Sequence, residues 1–153
     1  MKPLELVVDA TIRAPLGDVW SYVVEGYFDH HASWDPAIRK MENLTGGPIG
    51  VGTRGRETRR VLGDVVAEFE VTACEHGRRF ALRNVSGPLG LEREYAFREE
   101  AGATLLTFRF TAAPKGAMHL LFPLLRRSIP AQVRANVARI PTLLEARLAT
   151  AHG

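Results

Sequence analysis

After Ala113-Pro114 the apolar residues of this chain recur at helical spacing to about Ala149, whereas over residues 38–112 they alternate in short runs broken by turn residues. One long helix is therefore the only sizeable element available to cover what the strands must bury. In that last segment Leu121, Leu125, Val133, Val137, Ile140, Leu144 and Leu148 fall largely on one stripe, with the arginines mostly elsewhere. Pro123, Pro130 and Pro141 each remove a backbone donor, which predicts kinks or a split into segments.

The alternating runs are 38–45, 53–62, 65–75, 79–86, 91–99 and 103–112, joined by turn signals such as His76-Gly77, Gly87-Pro88 and Ala101-Gly102. Gly63-Asp64 reads as a tight two-residue hairpin, and GGPIGVG as a longer flexible turn. Residues 4–13 alternate as well, with Leu4, Leu6, Val8, Ala10 and Ile12 on one face. Between this strand and the others lie two short helical stretches. The first covers about 15–25, with Pro15 suited to a first turn; the second covers 27–36, with Asp29 as a cap and Trp34 as an apolar anchor, and Asp35-Pro36 ends it. The predicted fold is α+β: a seven-stranded antiparallel meander wrapped around a long C-terminal helix, with two short helices after strand 1.

At 153 residues this is one domain, 1–153, able to bury about two thirds of its unfolded surface. The lone Cys74 cannot form an internal disulfide. The start has no sustained apolar core, so no signal peptide is read there, and no apolar run reaches membrane-span length; a cytoplasmic protein without stable membrane insertion is expected. The net charge is +3, yet the basic residues are scattered. RGRETRR and LLRR are the only clusters and carry no interleaved aromatics, so no nucleic-acid partner is expected.

A helix is about 10 Å across with its side chains, narrower than a curved seven-stranded sheet. Few aromatics are present to fill the difference, so an apolar cavity should remain between helix and sheet. The segments TIRAPLGDVWSYV (11–23), FDHHASWDPAI (28–38), GGPIGVGTRGRET (46–58) and PTLLEARL (141–148) resemble the START-like (SRPBCC, birch-pollen-allergen-like) superfamily, in particular its polyketide cyclase/dehydrase branch. The resemblance covers essentially the whole chain and implies the helix-grip architecture just described. It implies binding of a hydrophobic small molecule such as a lipid, sterol or aromatic polyketide. The alternative it implies is an aromatic cyclase or dehydratase that promotes aldol closure or water loss.

Strand parity nominates the polar groups. Leu91, Tyr95 and Phe97 define an inward face that includes Arg93, and Phe80 and Leu82 take Asn84 with them. An inward arginine needs an anion, and Glu57 is the candidate if the odd positions of 53–61 face in. Arg93, Asn84 and Tyr95 would then hold a ligand carboxylate, carbonyl or hydroxyl. Trp34, Phe69, Phe108, Met118, Leu121 and Leu125 are expected on the cavity wall. His30 and His31 lie where the second short helix would cap the cavity mouth, and Arg93, Tyr95 and His30 are the catalytic candidates should the protein be an enzyme. Gly55 stands in a strand where relatives, as the resemblance implies, often carry a bulky residue, so it either enlarges the pocket or marks a bulge. No metal, phosphate-loop or nucleophile-elbow pattern is present, so no cofactor is expected, and the chain is read as a monomer or weak homodimer.

Overall fold

The computed structural model describes residues 2–152. Strand β1 (Leu4–Ile12) leads into α1 (Leu16–Trp20), which widens into a π-helical turn over Ser21–Glu25, and then into α2 (Tyr27–Trp34). Six further strands follow: β2 (Ile38–Asn43), β3 (Arg54–Arg60), β4 (Asp64–Glu75), β5 (Arg79–Asn84), β6 (Leu89–Glu100) and β7 (Ala103–Pro114). The chain ends in α3 (Met118–His152). The expected elements and their order are present.

The sheet is antiparallel with strand order β1-β7-β6-β5-β4-β3-β2. Only β2 to β7 form a meander. Strand β1 pairs with the last strand, Leu4 opposite Ala112 and Ile12 opposite Thr104, because α1 and α2 carry the chain from one sheet edge to the other. Register shifts at Ile38/Lys40 and Val71/Ala73 place irregularities in β2 and β4, which bend a sheet and increase its twist.

Local expectations fail in four places. Arg60 pairs with Asp64, so the β3–β4 turn has three residues, and Asp64 belongs to the strand. Gly63 adopts φ +108°, a conformation glycine reaches without a steric penalty. Pro15 lies just before α1 with extended ψ, where its carbonyl accepts from the Asp18 and Val19 N–H groups. Asp29 sits inside the first turn of α2 and makes no capping bond; the carbonyl of Gly26 accepts there instead. Finally, α3 is one continuous helix through all three prolines, so the expected split into segments does not occur.

Helix α3 packs on β1, β7 and α2. Its apolar stripe meets the concave face through Val133, Val137, Ile140 and Leu144, all buried. A smaller cluster of Leu4, Leu91, Ala112 and Phe122 anchors its first turns. Because α3 makes its main sheet contacts with β1 and β7, much of the concave surface of β3 to β6 is not covered by α3. Among the described residues, no helix is long and apolar enough to cross a membrane.

Candidate functional site

Between α3 and the uncovered part of the sheet lies a cavity of about 320 Å³. Leu91 of β6, Phe108 and Phe110 of β7, and Ile129, Val133 and Val137 of α3 supply apolar wall. Its opening is marked by wall residues that are also exposed: Arg60, Leu62, Ser128 and Gln132. The mouth therefore lies between the β3–β4 turn and the middle of α3. Helix α2 adds Trp34 and His31 to the wall, both buried, and the chain just after it is tied to the β3 end of the mouth, the Arg60 N–H donating to the Ala37 carbonyl.

One part of the wall is charged. Arg93, only 4% exposed, places Nη1 3.5 Å from Glu57 Oε2. The same nitrogen donates to Tyr27 Oη at 3.3 Å, and Nη2 donates to Asn84 Oδ1 at 3.3 Å. The guanidinium also lies over the Phe69 ring, 5.5 Å from its centroid. A second pair sits beside the first: Arg59 grips Asp35 with both terminal nitrogens, at 2.8 and 3.3 Å, and reaches Glu57 at 3.8 Å. His31 Nε2 lies 3.5 Å from Asp35 Oδ2. The cluster is drawn from β3, β5, β6 and α2.

Each protonation state has a physical cause. Burial raises the affinity of the Glu57 carboxyl for its proton, but Arg93 and Arg59 outweigh this and hold it below its ordinary value. The same contest leaves Asp35 well below the carboxylate range, with His31 and Arg59 as the opposing contacts. Burial lowers His31 more than Asp35 raises it, so the imidazole is neutral at pH 7. Burial pushes the Tyr95 hydroxyl up to about 12 despite the nearby Arg93 charge, so it stays a donor. Two cations face two carboxylates across a neutral histidine. The cluster carries no net charge.

Of the residues nominated from sequence, Trp34, Arg93, Tyr95, Phe108 and Leu125 lie on the main cavity wall. Glu57, Asn84 and Met118 face a smaller recess of about 40 Å³ beside it. Phe69 is fully buried beneath Arg93 and reaches neither wall. Leu121 points outward, 39% exposed, because Phe122 takes the inward position on that turn. His30 is placed outside the cavity, stacked on Tyr22 at 4.4 Å, and is removed as a catalytic candidate; His31 is the histidine that lines it. Gly55 neither enlarges the pocket nor marks a bulge. A Cβ there would meet Phe69 Cζ at 2.3 Å and Phe28 at 2.7 Å, so the space belongs to that stacked aromatic pair. Sequence reasoning missed Arg59, although it shares the parity of Glu57, and missed the polar row Ser128, Gln132 and Asn136, spaced one turn apart on α3.

Comparison with known proteins agrees with this architecture. The family model described as polyketide cyclase/dehydrase and lipid transport matches residues 3–145. The chain belongs to that family. The ZhuI aromatase/cyclase from Streptomyces sp. R1128 is similar in structure, with a TM-score of 0.81 at 19% identity over 99% of both chains. The di-domain aromatase/cyclase StfQ of the steffimycin biosynthetic pathway has a TM-score of 0.75 at 14% identity, over 96% of this chain and 52% of its own. Ara h 8.0201 has a TM-score of 0.71 at 13% identity, over 95% of this chain and 99% of its own. At these identities the neighbours establish the helix-grip fold. No curated protein matches the sequence significantly.

Proposed function

We propose that this member of the family binds a neutral, largely apolar small molecule in the cavity, with a carbonyl or hydroxyl directed toward Arg93 and Tyr95. One observation carries the reading: the apolar hollow is bordered by a buried ionic cluster that is already balanced. A ligand carboxylate brought there would be an uncompensated buried anion, which costs several kcal/mol. A neutral oxygen needs only a donor, and the Arg93 guanidinium and Tyr95 hydroxyl are donors on the wall. The volume falls at the lower end of the roughly 300–1,000 Å³ of small-molecule sites.

The same donors favour a second reading, an aromatic polyketide cyclase or dehydratase, since they would polarise a ligand carbonyl. Such chemistry also needs a base. His30 lies outside, and the free Nδ1 of His31 is enclosed by protein and has no partner. Binding without turnover is therefore the preferred function.

The test is displacement of a solvatochromic dye by a ketone and a carboxylate of equal chain length. The ketone should compete at least tenfold better. Val137→Phe, which fills the cavity from its α3 wall, should abolish dye binding and leave the fold intact. Preference for the carboxylate, or dye binding indifferent to Val137→Phe, would sink the reading. Steady consumption of a poly-β-ketone would replace it with the enzyme.

A further inference from the structure

Among the described residues, four of the eight large exposed apolar side chains lie in two segments that border the cavity, the tip of the β3–β4 turn and the start of α3. Leu62 at the tip of the β3–β4 turn is 79% exposed, and Leu120, Leu121 and Leu124 are 84%, 39% and 67% exposed. Leu120 and Leu124 are one turn apart, on the side opposite the buried Phe122. Leu124 adjoins Leu125, which lines the same cavity as Leu62, so both groups of leucines stand beside that cavity. Isolated exposed leucines are ordinary; a group at a cavity opening is not.

The charges around this surface are predominantly basic. No acidic residue occurs between Glu100 and Glu145, a stretch that includes Lys115, Arg126, Arg127, Arg134 and Arg139. Lys115, Arg127 and, across the mouth, Arg60 are exposed and form no ion pair among the described residues. Asp64, the acid nearest that tip in sequence, is engaged by Arg39 at 3.2 Å.

We infer that the rim of the mouth docks on an anionic lipid surface. Aliphatic tips standing above a ring of unpaired cations match the acyl boundary and the headgroups of such a bilayer. A second copy of the chain fits poorly, because a two-fold contact would press Arg127 and Lys115 toward their own copies with no carboxylate in the patch to separate them. An acidic protein would have to cup a row of leucines that offers it no pocket. The role of the contact rests on the ligand-binding reading: docking would set the mouth against the phase in which an apolar ligand resides.

Co-sedimentation with phosphatidylcholine vesicles, with and without phosphatidylglycerol, tests this on the full chain. The protein should pellet with the anionic vesicles only, and added salt should release it. Leu120→Glu/Leu124→Glu and Lys115→Gln/Arg127→Gln should each weaken vesicle binding on the order of tenfold or more. Neither double substitution touches the cavity wall, so dye binding in vesicle-free buffer should be unchanged. Vesicle binding without dye binding would leave docking standing and remove the ligand. Dye binding without vesicle binding would remove docking alone. Docking is also overturned if both variants pellet as the parent does, or if light scattering shows a dimer that Leu120→Glu/Leu124→Glu dissolves.

Discussion

Neutralising Glu57 should destabilise the protein severely, and removing its partner as well should restore most of the loss. Glu57 is 1% exposed and Arg93 4%, with 3.5 Å between them, so solvent screens neither. In Glu57→Gln the cluster passes from balanced to one net positive charge. Arg93 then faces only neutral acceptors, Tyr27 Oη and Asn84 Oδ1, each at 3.3 Å, and the new amide oxygen, while its Nε already lacks a partner. Stranding one member of a buried pair costs about 3–5 kcal/mol. For a chain of this length that corresponds to a fall in Tm of roughly 6–20 °C. Arg93→Met should cost a similar amount, because Glu57 is left with Arg59 at 3.8 Å as its remaining cation. Glu57→Leu alone strands Arg93 in the same way, so additive singles would put Glu57→Leu/Arg93→Met about 6–10 kcal/mol down; well-packed apolar replacement of such a pair instead changes stability little. Urea unfolding followed by tryptophan fluorescence measures all of these variants. A loss below about 1 kcal/mol in Glu57→Gln, or a double variant as weak as the sum, would refute a desolvated, coupled pair.

Two further outcomes follow from the packing and from the buried histidine. Gly55→Ala should destabilise by about 1–3 kcal/mol, since its methyl must displace the Phe69–Phe28 stack; thermal melts check this, and adding Phe69→Leu should recover part of the loss. In acid, His31 acts with a definite sign: its pKa is lower folded than unfolded, so below about 6.5 the unfolded chain binds a proton that the native protein excludes. Stability should fall as pH drops through that window, before Asp35 and Glu57, both depressed, begin to take protons near and below pH 4. His31→Gln should flatten the first decline by up to about 1.4 kcal/mol per pH unit, as equilibrium unfolding over pH 5 to 7 would show. An unchanged slope would place the proton uptake elsewhere.

Local period decided much of what the sequence alone could tell. Alternation has a period of two whatever the strand packs against, so parity alone puts Arg93, Tyr95 and Asn84 on the inner face, whereas Glu57 stands on a strand charged on both faces and period could not choose its side. The single long helix against seven strands implied the cavity in the same way. Parity says nothing about distance across a sheet. Strands β3 and β6 are three spacings apart, about 14 Å if the sheet were flat. Its concave curvature lets Arg93 reach Glu57, and the packing of α2 over that hollow adds Asp35 and His31 to Arg59. Which of two adjacent histidines faced inward, and where the mouth opened, depended on how the helices lie on the sheet. These are sums over many long-range contacts, and no window of neighbouring residues contains them.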